Sequence, residues 1–237
     1  MFCRTEIFFE KDGYMKVSLI ILTLNELDGM KVIMPQIKKE WYDQLIVVDG
    51  GSTDGTIEYV RENGYCLLLQ KKSGMVAAFN ELMEEVTGDI IITFSPDGNS
   101  MPENIPPLIE KMKEGYDIVV VSRYLDGAKS YDDTVVTAFG NWMFAKAVNL
   151  LFGMNITDLL VMFRAFRKSL VNDLEILPPR SGSWSTQLLL RASKRKLKLG
   201  EIPGDEPPRI GGISKLSPVK HGLLELETIV RELFIWR

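Results

Sequence analysis

The chain has 237 residues, 46% of them hydrophobic and 25% charged, with a formal net charge of -4. That length admits one large domain or two small ones around a sizeable core, and the composition is that of an ordinary globular chain. The acidic balance argues against a protein whose main partner is nucleic acid, although it leaves room for local basic segments.

Residues 1–14 (MFCRTEIFFEKDGY) carry acids where a secretory signal needs an apolar core, and Met15-Lys16 leads straight into an apolar run. They read as an N-terminal extension to a single domain spanning 15–237. Lys16 to Leu24 (KVSLIILTL) predicts a strand buried on both faces. Thr23-Leu24-Asn25-Glu26 ends it in a polar turn before a helix over Leu27 to Lys39. Gln44 to Val48 predicts a second buried strand, which runs into the glycine-rich turn 49–56. Asp54 is a suitable cap for the helix that follows, near Gly55 to Glu62.

Tyr65 to Gln70 is a third strand, and Gly74 to Val86 a helix with Val76, Phe79, Leu82, Met83 and Val86 on one face. Asp89 onward (DIIITF) is a β-branched run that stops at Ser95-Pro96-Asp97-Gly98-Asn99. A helix near Glu103 to Glu114 and a strand over Tyr116 to Ser122 come next. Alternation of this kind predicts a doubly wound α/β domain, a mixed and mostly parallel sheet flanked by helices. Further on, Arg123 to Thr134 reads as a polar loop, Val135 to Phe152 as a long helix and Thr157 to Phe166 as strand-like. Pro178 to Ser183 reads as a loop, Trp184 to Lys194 as a helix and Leu197 to Pro203 as a short strand. Asp205 to Pro218 is rich in proline and glycine, and an amphipathic helix over His221 to Arg237 closes the chain.

Two cysteines, Cys3 and Cys66, exclude a disulfide framework and fit a reducing, cytoplasmic compartment, with Cys66 a buried thiol in an apolar run. His221 is the one histidine, which argues against zinc and leaves acid–base work to carboxylates, to His221 or to the substrate. No apolar stretch approaches the roughly 20 residues that span a bilayer. The basic run Arg191 to Lys198 reads as a solvated helix end. The terminal helix has an apolar side (Leu223, Leu226, Val230, Leu233, Phe234) suited to its own domain or a dimer mate, with peripheral contact at the cytoplasmic membrane face as the alternative.

In an open α/β sheet ligands gather beyond the carboxyl ends of the strands. Four candidate stretches lie there: Thr23 to Glu26, Asp49 to Thr56, Ser95 to Asn99, and Ser122-Arg123-Tyr124. The local residues leave alternatives open: Asp97 before Gly98 also suits an Asx turn, and Arg123 a surface ion pair. With Asp158 to Phe166 (DLLVMFRAF), Glu201-Ile202-Pro203 and Arg209 to Leu216 (RIGGISKL), their order and spacing resemble the family 2 glycosyltransferases of GT-A fold. Among these, the chain resembles the polyprenol-phosphate and dolichol-phosphate sugar synthases.

The resemblance covers Met15 to about Leu216 and implies transfer of a sugar from a GDP- or UDP-sugar to a lipid phosphate. It implies nucleotide-sugar binding by Thr23, Asn25, Glu26, Asp49, Gly51, Ser52, Asp97, Arg209 and Lys215, with Asp49 accepting from a base N–H. It implies Mg²⁺ or Mn²⁺ on Asp97, aided by Asn99, and acceptor phosphate on Arg123, Arg164 and Ser214. Asp158 is implied on the acceptor side, as a base or as an orienting group. Three departures stand out: Gly50 for an Asp, Ser95 for the first Asp of the metal pair, and Val161-Met162 for Ser-Gly. They support a rival reading as a non-catalytic nucleotide-sugar-binding or scaffold protein, and a glycosyltransferase with a saccharide acceptor in cell-surface glycan synthesis is the other alternative. The family's second acceptor arginine has no counterpart between Thr134 and Trp142.

Overall fold

In a computed structural model of the chain, residues 14–70, 81–176, 183–211 and 217–234 are described. They form one seven-stranded sheet of order β3-β2-β1-β4-β6-β5-β7. The strands are β1 (Val17–Thr23), β2 (Gln44–Asp49), β3 (Cys66–Leu69), β4 (Ile90–Phe94), β5 (Ile118–Ser122), β6 (Arg164–Arg167) and β7 (Leu199–Pro203). β6 alone runs antiparallel, between β4 and β5. The pairs β1–β2, β1–β4, β2–β3 and β5–β7 are parallel, so the ends of β1, β2, β4 and β5 open on one edge.

The central strands are apolar on both faces because both are covered. Leu19, Ile21, Ile92, Val119 and Ala165 face α1 (Leu27–Ile33) and α4 (Ile105–Lys113). Ile20, Ile91, Val120 and Phe166 face the other layer. That layer holds α3 (described over 81–85), α5 (Val135–Phe152), α7 (Trp184–Lys194) and α8 (Pro218–Phe234). Helices α2 (Thr56–Glu62) and α6 (Leu170–Asp173) complete the set, α6 being a short element the sequence pattern does not predict.

Several expectations need correction. The helix expected over 27–39 ends at Ile33 and tightens into a 3-10 turn at Met34–Gln36, because Pro35 cannot continue the ladder. The strand expected over 157–166 begins only at Arg164. Before it, the Glu201 carboxylate accepts from Thr157 N and Asp158 N, and Asn141 Oδ1 from Leu159 N and Leu160 N. Side chains thus satisfy backbone that would otherwise seek a strand partner. The last helix starts at Pro218 rather than His221. Cys66 is disulfide-bonded rather than a buried thiol; it is half-buried on the edge strand β3. Arg191 is not a solvated helix end but pairs with the buried Glu232 of α8 at 2.8 Å. Residues 1–13, most of the expected helix at 74–86, the loop 178–182 and the chain end 235–237 lie outside the described residues.

One glycine sets how the turn after β4 is held. A Cβ on Gly29 of α1 would stand 2.2 Å from Pro96 O. Only glycine lets α1 lie against the Ser95-Pro96-Asp97 backbone. Gly29→Ala is expected to cost about 1–3 kcal/mol by overpacking, read as a lower midpoint in urea denaturation. An unchanged midpoint would show that α1 does not bear on the turn.

Candidate active site

The strand ends build the site from three groups. At the ends of β1 and β2, Asp49 is fully buried and uses both oxygens. Oδ1 accepts from Gly51 N at 2.8 Å and Ser52 N at 2.7 Å. Oδ2 accepts from Thr23 Oγ1 at 2.9 Å and Ser52 Oγ at 2.6 Å. A carboxylate has about four acceptor positions, so Asp49 is consumed in shaping the loop rather than offered to a base, which corrects the sequence expectation. Ser52 Oγ also accepts from Asn25 N at 2.7 Å, and Asn25 Oδ1 accepts from Thr53 N at 2.7 Å. Gly51 has φ +97, and a Cβ there would meet nothing within 4 Å, so the loop presents bare backbone to open space.

Asp54 lies one residue ahead of the cap position of α2 and still bonds Thr56 N at 3.0 Å, while its second oxygen accepts from Leu27 N at 3.0 Å. Burial works to raise its pKa, but the bonds from Thr56 and Leu27 prevail and hold the carboxyl below its ordinary range. Asn25, Glu26, Asp28, Asp54 and Ile210 surround a cleft of about 230 Å³.

The centre is the turn after β4. Asp97 is buried, and its Oδ1 accepts from Asn99 N at 3.1 Å, an Asx-type turn. Its Oδ2 meets Arg209 at 2.9 Å, and Arg209 also holds Glu26 at 3.2 Å. Ile210 N donates to Asp97 O at 2.7 Å, and Ile210 packs where a Cβ on Gly98 would sit. The segment after β7 is therefore closed down on the turn. Asn99 Nδ2 donates to Asp132 at 2.7 Å, and its Oδ1 is buried with no hydrogen-bond partner among the described residues. Among the described residues, no three His, Cys, Asp or Glu side chains form a metal cage. Asp97 with the orphaned Asn99 oxygen still fits Mg²⁺, which takes one or two carboxylates and completes its shell with phosphate and water.

The third group stands at the end of β5. Arg123 Nε and Nη2 grip the fully buried Asp158 at 2.6 and 3.0 Å. Arg123 Nη1 lies 3.2 Å from Glu206 and 3.8 Å from Asp133. Burial opposes its charge, but Asp158 and Glu206 outweigh that and raise its pKa. Burial and the hydrogen bond to Asp133 push the Tyr124 hydroxyl up in the same direction. Asp158 itself is held from behind: Glu201 binds its backbone N–H, and burial raises the Glu201 pKa against those bonds. With no exposure and both oxygens on Arg123, Asp158 orients the arginine and is not placed to act as a base.

Other predicted residues fall elsewhere. Arg164 is fully buried, bonded to the carbonyls of Ser185 at 3.0 Å and Val161, with burial pushing its pKa down to about 10. Among the described residues it has no carboxylate in bonding distance, and it faces the α7 layer rather than the end of β5 where Arg123 stands, so its assignment to an acceptor phosphate is corrected. Ser214 and Lys215 lie outside the described residues. Sequence reasoning missed Glu206, which accepts from Arg123, Ser130 and Asn99 and joins the turn after β4 to the end of β5. Its only signal is an acidic pair, Asp205-Glu206, in an otherwise proline- and glycine-rich segment. It also missed Asp132 and Asp133.

Asp49→Asn would turn an amide N–H₂ toward groups that already donate. A loss of about 2–3 kcal/mol is expected, since bonds to a charged acceptor contribute about 1.5–3 kcal/mol each. Thermal unfolding would measure it, and an unshifted transition would show that Asp49 does not hold the loop.

A sequence profile described as glycosyl transferase family 2 matches residues 18–175, more than half of the chain. The glycosyltransferase AglJ of Haloferax volcanii is 26% identical over 211 residues, covering 87% of this chain and 68% of that protein. A dolichyl-phosphate hexose transferase of the same organism is 25% identical over 217 residues, covering 91% and 92%. An undecaprenyl-phosphate mannosyltransferase of Micrococcus luteus is 24% identical over 216 residues, covering 86% and 88%. Among solved structures, glucosyl-3-phosphoglycerate synthase of Mycobacterium tuberculosis with Mn²⁺, UDP and phosphoglyceric acid superposes with a TM-score of 0.71 at 18% identity. It covers 94% of this chain and 80% of that one. The same enzyme with Mg²⁺ and UDP gives 0.68 at 19% identity, covering 94% and 81%. The fold is that of the GT-A glycosyltransferases, and the chain belongs to glycosyl transferase family 2.

Proposed function

We propose that this glycosyltransferase moves a sugar from a nucleoside-diphosphate donor, a UDP- or GDP-sugar, to a polyprenyl phosphate with inversion at the anomeric carbon. The observation that carries the reading is Arg123. Buried Asp158 fixes two of its nitrogens, and the third faces the centre through a carboxylate, Glu206. A guanidinium held in this way suits a phosphate, whose oxygens it bonds in its own plane. Relatives named for dolichyl- and undecaprenyl-phosphate transfer, matched over most of both chains, support the same acceptor.

The donor's base and ribose lie in the Asn25–Glu26 cleft beside the bare backbone of Gly51, and the diphosphate reaches Asp97. Asp97 and Asn99 Oδ1 are the groups that would hold a divalent cation, which when bound offsets charge on the leaving diphosphate. Arg209 must release Asp97 for that, and its guanidinium is then free to bind a phosphate oxygen and assist departure electrostatically. An acceptor phosphate oxygen attacks the anomeric carbon from the opposite side. The bond from that carbon to the β-phosphate oxygen breaks, and its electron pair leaves with the nucleoside diphosphate. The nucleophile is already anionic near neutrality, so no proton moves and no general base is needed. Arg123 aligns that oxygen with the departing bond. Ser214 and Lys215, in the segment that follows Arg209, are proposed to bind acceptor phosphate and donor.

Purified protein supplied with UDP- and GDP-sugars, polyprenyl phosphate and Mg²⁺ or Mn²⁺ is expected to release nucleoside diphosphate. Release with none of these pairs would contradict the reading. Asp97→Asn is expected to lower kcat by about 10²-fold or more with the fold retained, as for loss of one transition-state group; near-normal turnover would remove Asp97 from the centre. Glu206→Gln removes the charge that competes for Arg123 Nη1, so the KM for polyprenyl phosphate is expected to fall. A raised KM would show that Glu206 supports acceptor binding instead.

A further inference from the structure

Helix α5 departs from the pattern of a helix on the flank of an α/β sheet. Its 18 residues carry one charge, Lys146, and no acid, and its apolar side chains run right round the axis. Asn141, Phe144, Ala145 and Val148 bind it to the core. The rest lies in the open: Val135 is 88% exposed, Phe139 61%, Trp142 55% and Leu150 85%. Among the described residues, it is the one helix long and apolar enough to cross a membrane by length and composition, yet only 22% of it is buried. That corrects the expectation that no apolar stretch approaches such a length. A helix apolar on all sides belongs in a core or in lipid, and α5 is only partly in a core.

Beside it, α8 shows a second apolar strip. Glu225, Thr228, Ile229 and Glu232 turn inward, while Val219, Leu223, Leu226, Val230 and Phe234 turn out at helical spacing. Gly222 of α8 faces the Phe144 ring of α5, so the two strips are neighbours.

We propose that this face docks on the surface of a phospholipid bilayer, with α5 lying in the plane of the interface. Two features favour lipid over a second copy of the chain. The first is chemical. Phe139 and Trp142 stack at 5.7 Å in the open, and Lys146 is the only charge on the helix. Exposed aromatics at headgroup depth and a cation with an apolar stem, set on an acid-free apolar helix, are the makeup of an interfacial helix. The second is continuity with the site. A cleft of about 210 Å³ runs from Trp142 and Lys146 to Tyr124 and Thr157, beside Arg123 and Asp158. A protein partner on this face would cover its mouth, whereas a bilayer would open it to lipid. α5 lies on the membrane rather than crossing it. Asn141, Phe144, Ala145 and Val148 hold one side of it on the sheet, so it does not stand free to cross the bilayer. The proposal rests on the reading of a lipid-phosphate acceptor and adds the surface on which that acceptor is met.

The full chain, with neither donor nor acceptor, is mixed with vesicles of phosphatidylcholine, alone or with phosphatidylglycerol, and sedimented. The protein is expected to partition onto both, with a blue shift of tryptophan emission that Trp142→Phe abolishes. Phe139→Glu and Leu150→Glu are each expected to weaken partition by about tenfold, while Leu69→Glu on the β3 edge leaves it unchanged. Circular dichroism confirms that each variant is folded. No partition on either vesicle, or partition indifferent to Phe139→Glu and Leu150→Glu, would overturn the proposal. So would a dimer that these substitutions convert to monomer. Because no sugar transfer is measured, a wrong acceptor would leave the vesicle result standing, and a wrong docking face would leave soluble transfer intact.

Discussion

One short segment after β7 ties the site together through two ion pairs of opposite sense. Glu206 brings a carboxylate to Arg123 at the end of β5, and Arg209, three residues on, brings a guanidinium to Asp97 at the end of β4. Each occupies a position that the proposed chemistry assigns to a substrate or its cation: Glu206 stands where an acceptor phosphate would bind, and Arg209 where positive charge must meet the donor. Charge in the site is therefore balanced within the protein, so neither buried Asp97 nor the partly buried Arg123 stands alone. Leaving either unpaired would be costly, which is why the segment lies closed against the sheet edge.

This closure depends on small residues at two contacts. Gly29 lets α1 rest on the Pro96 carbonyl, and Gly98, at φ +93, leaves room for Ile210. The departure of Ser95 from the family's acidic pair fits the same arrangement. With one carboxylate at the turn, a single guanidinium satisfies it, and Asn99 Oδ1 beside it has no hydrogen-bond partner among the described residues.

Much of this was legible in the chain. Apolar β-branched runs that stop at polar turns announce strands delivering side chains to one edge, and Thr23, Asp49, Asp97 and Arg123 all stand where those runs end. What was not legible depends on contacts between distant segments. Nothing local shows that Asp49 spends its bonds on its own loop and on Thr23 of β1, or that Arg164 on a short strand turns toward carbonyls of α7 and the preceding loop. The stretch 157–163 has strand-like composition, yet Glu201 and Asn141 take up its N–H groups and hold it irregular. Glu206 sits among prolines and glycines, and its role appears only when β5 and β7 are paired. The outward face of α5 was hidden because an apolar helix reads as core until the sheet is seen to cover only one side of it.

The central claim is that the nucleophile is a phosphate oxygen, positioned by Arg123, with no base required. Mass spectrometry of lipid products after incubation with a sugar nucleotide, comparing polyprenyl phosphate with the corresponding free polyprenol, tests it most directly. The account predicts one sugar added to the phosphate and none to the alcohol. Addition to the alcohol with the phosphate left unmodified would contradict it.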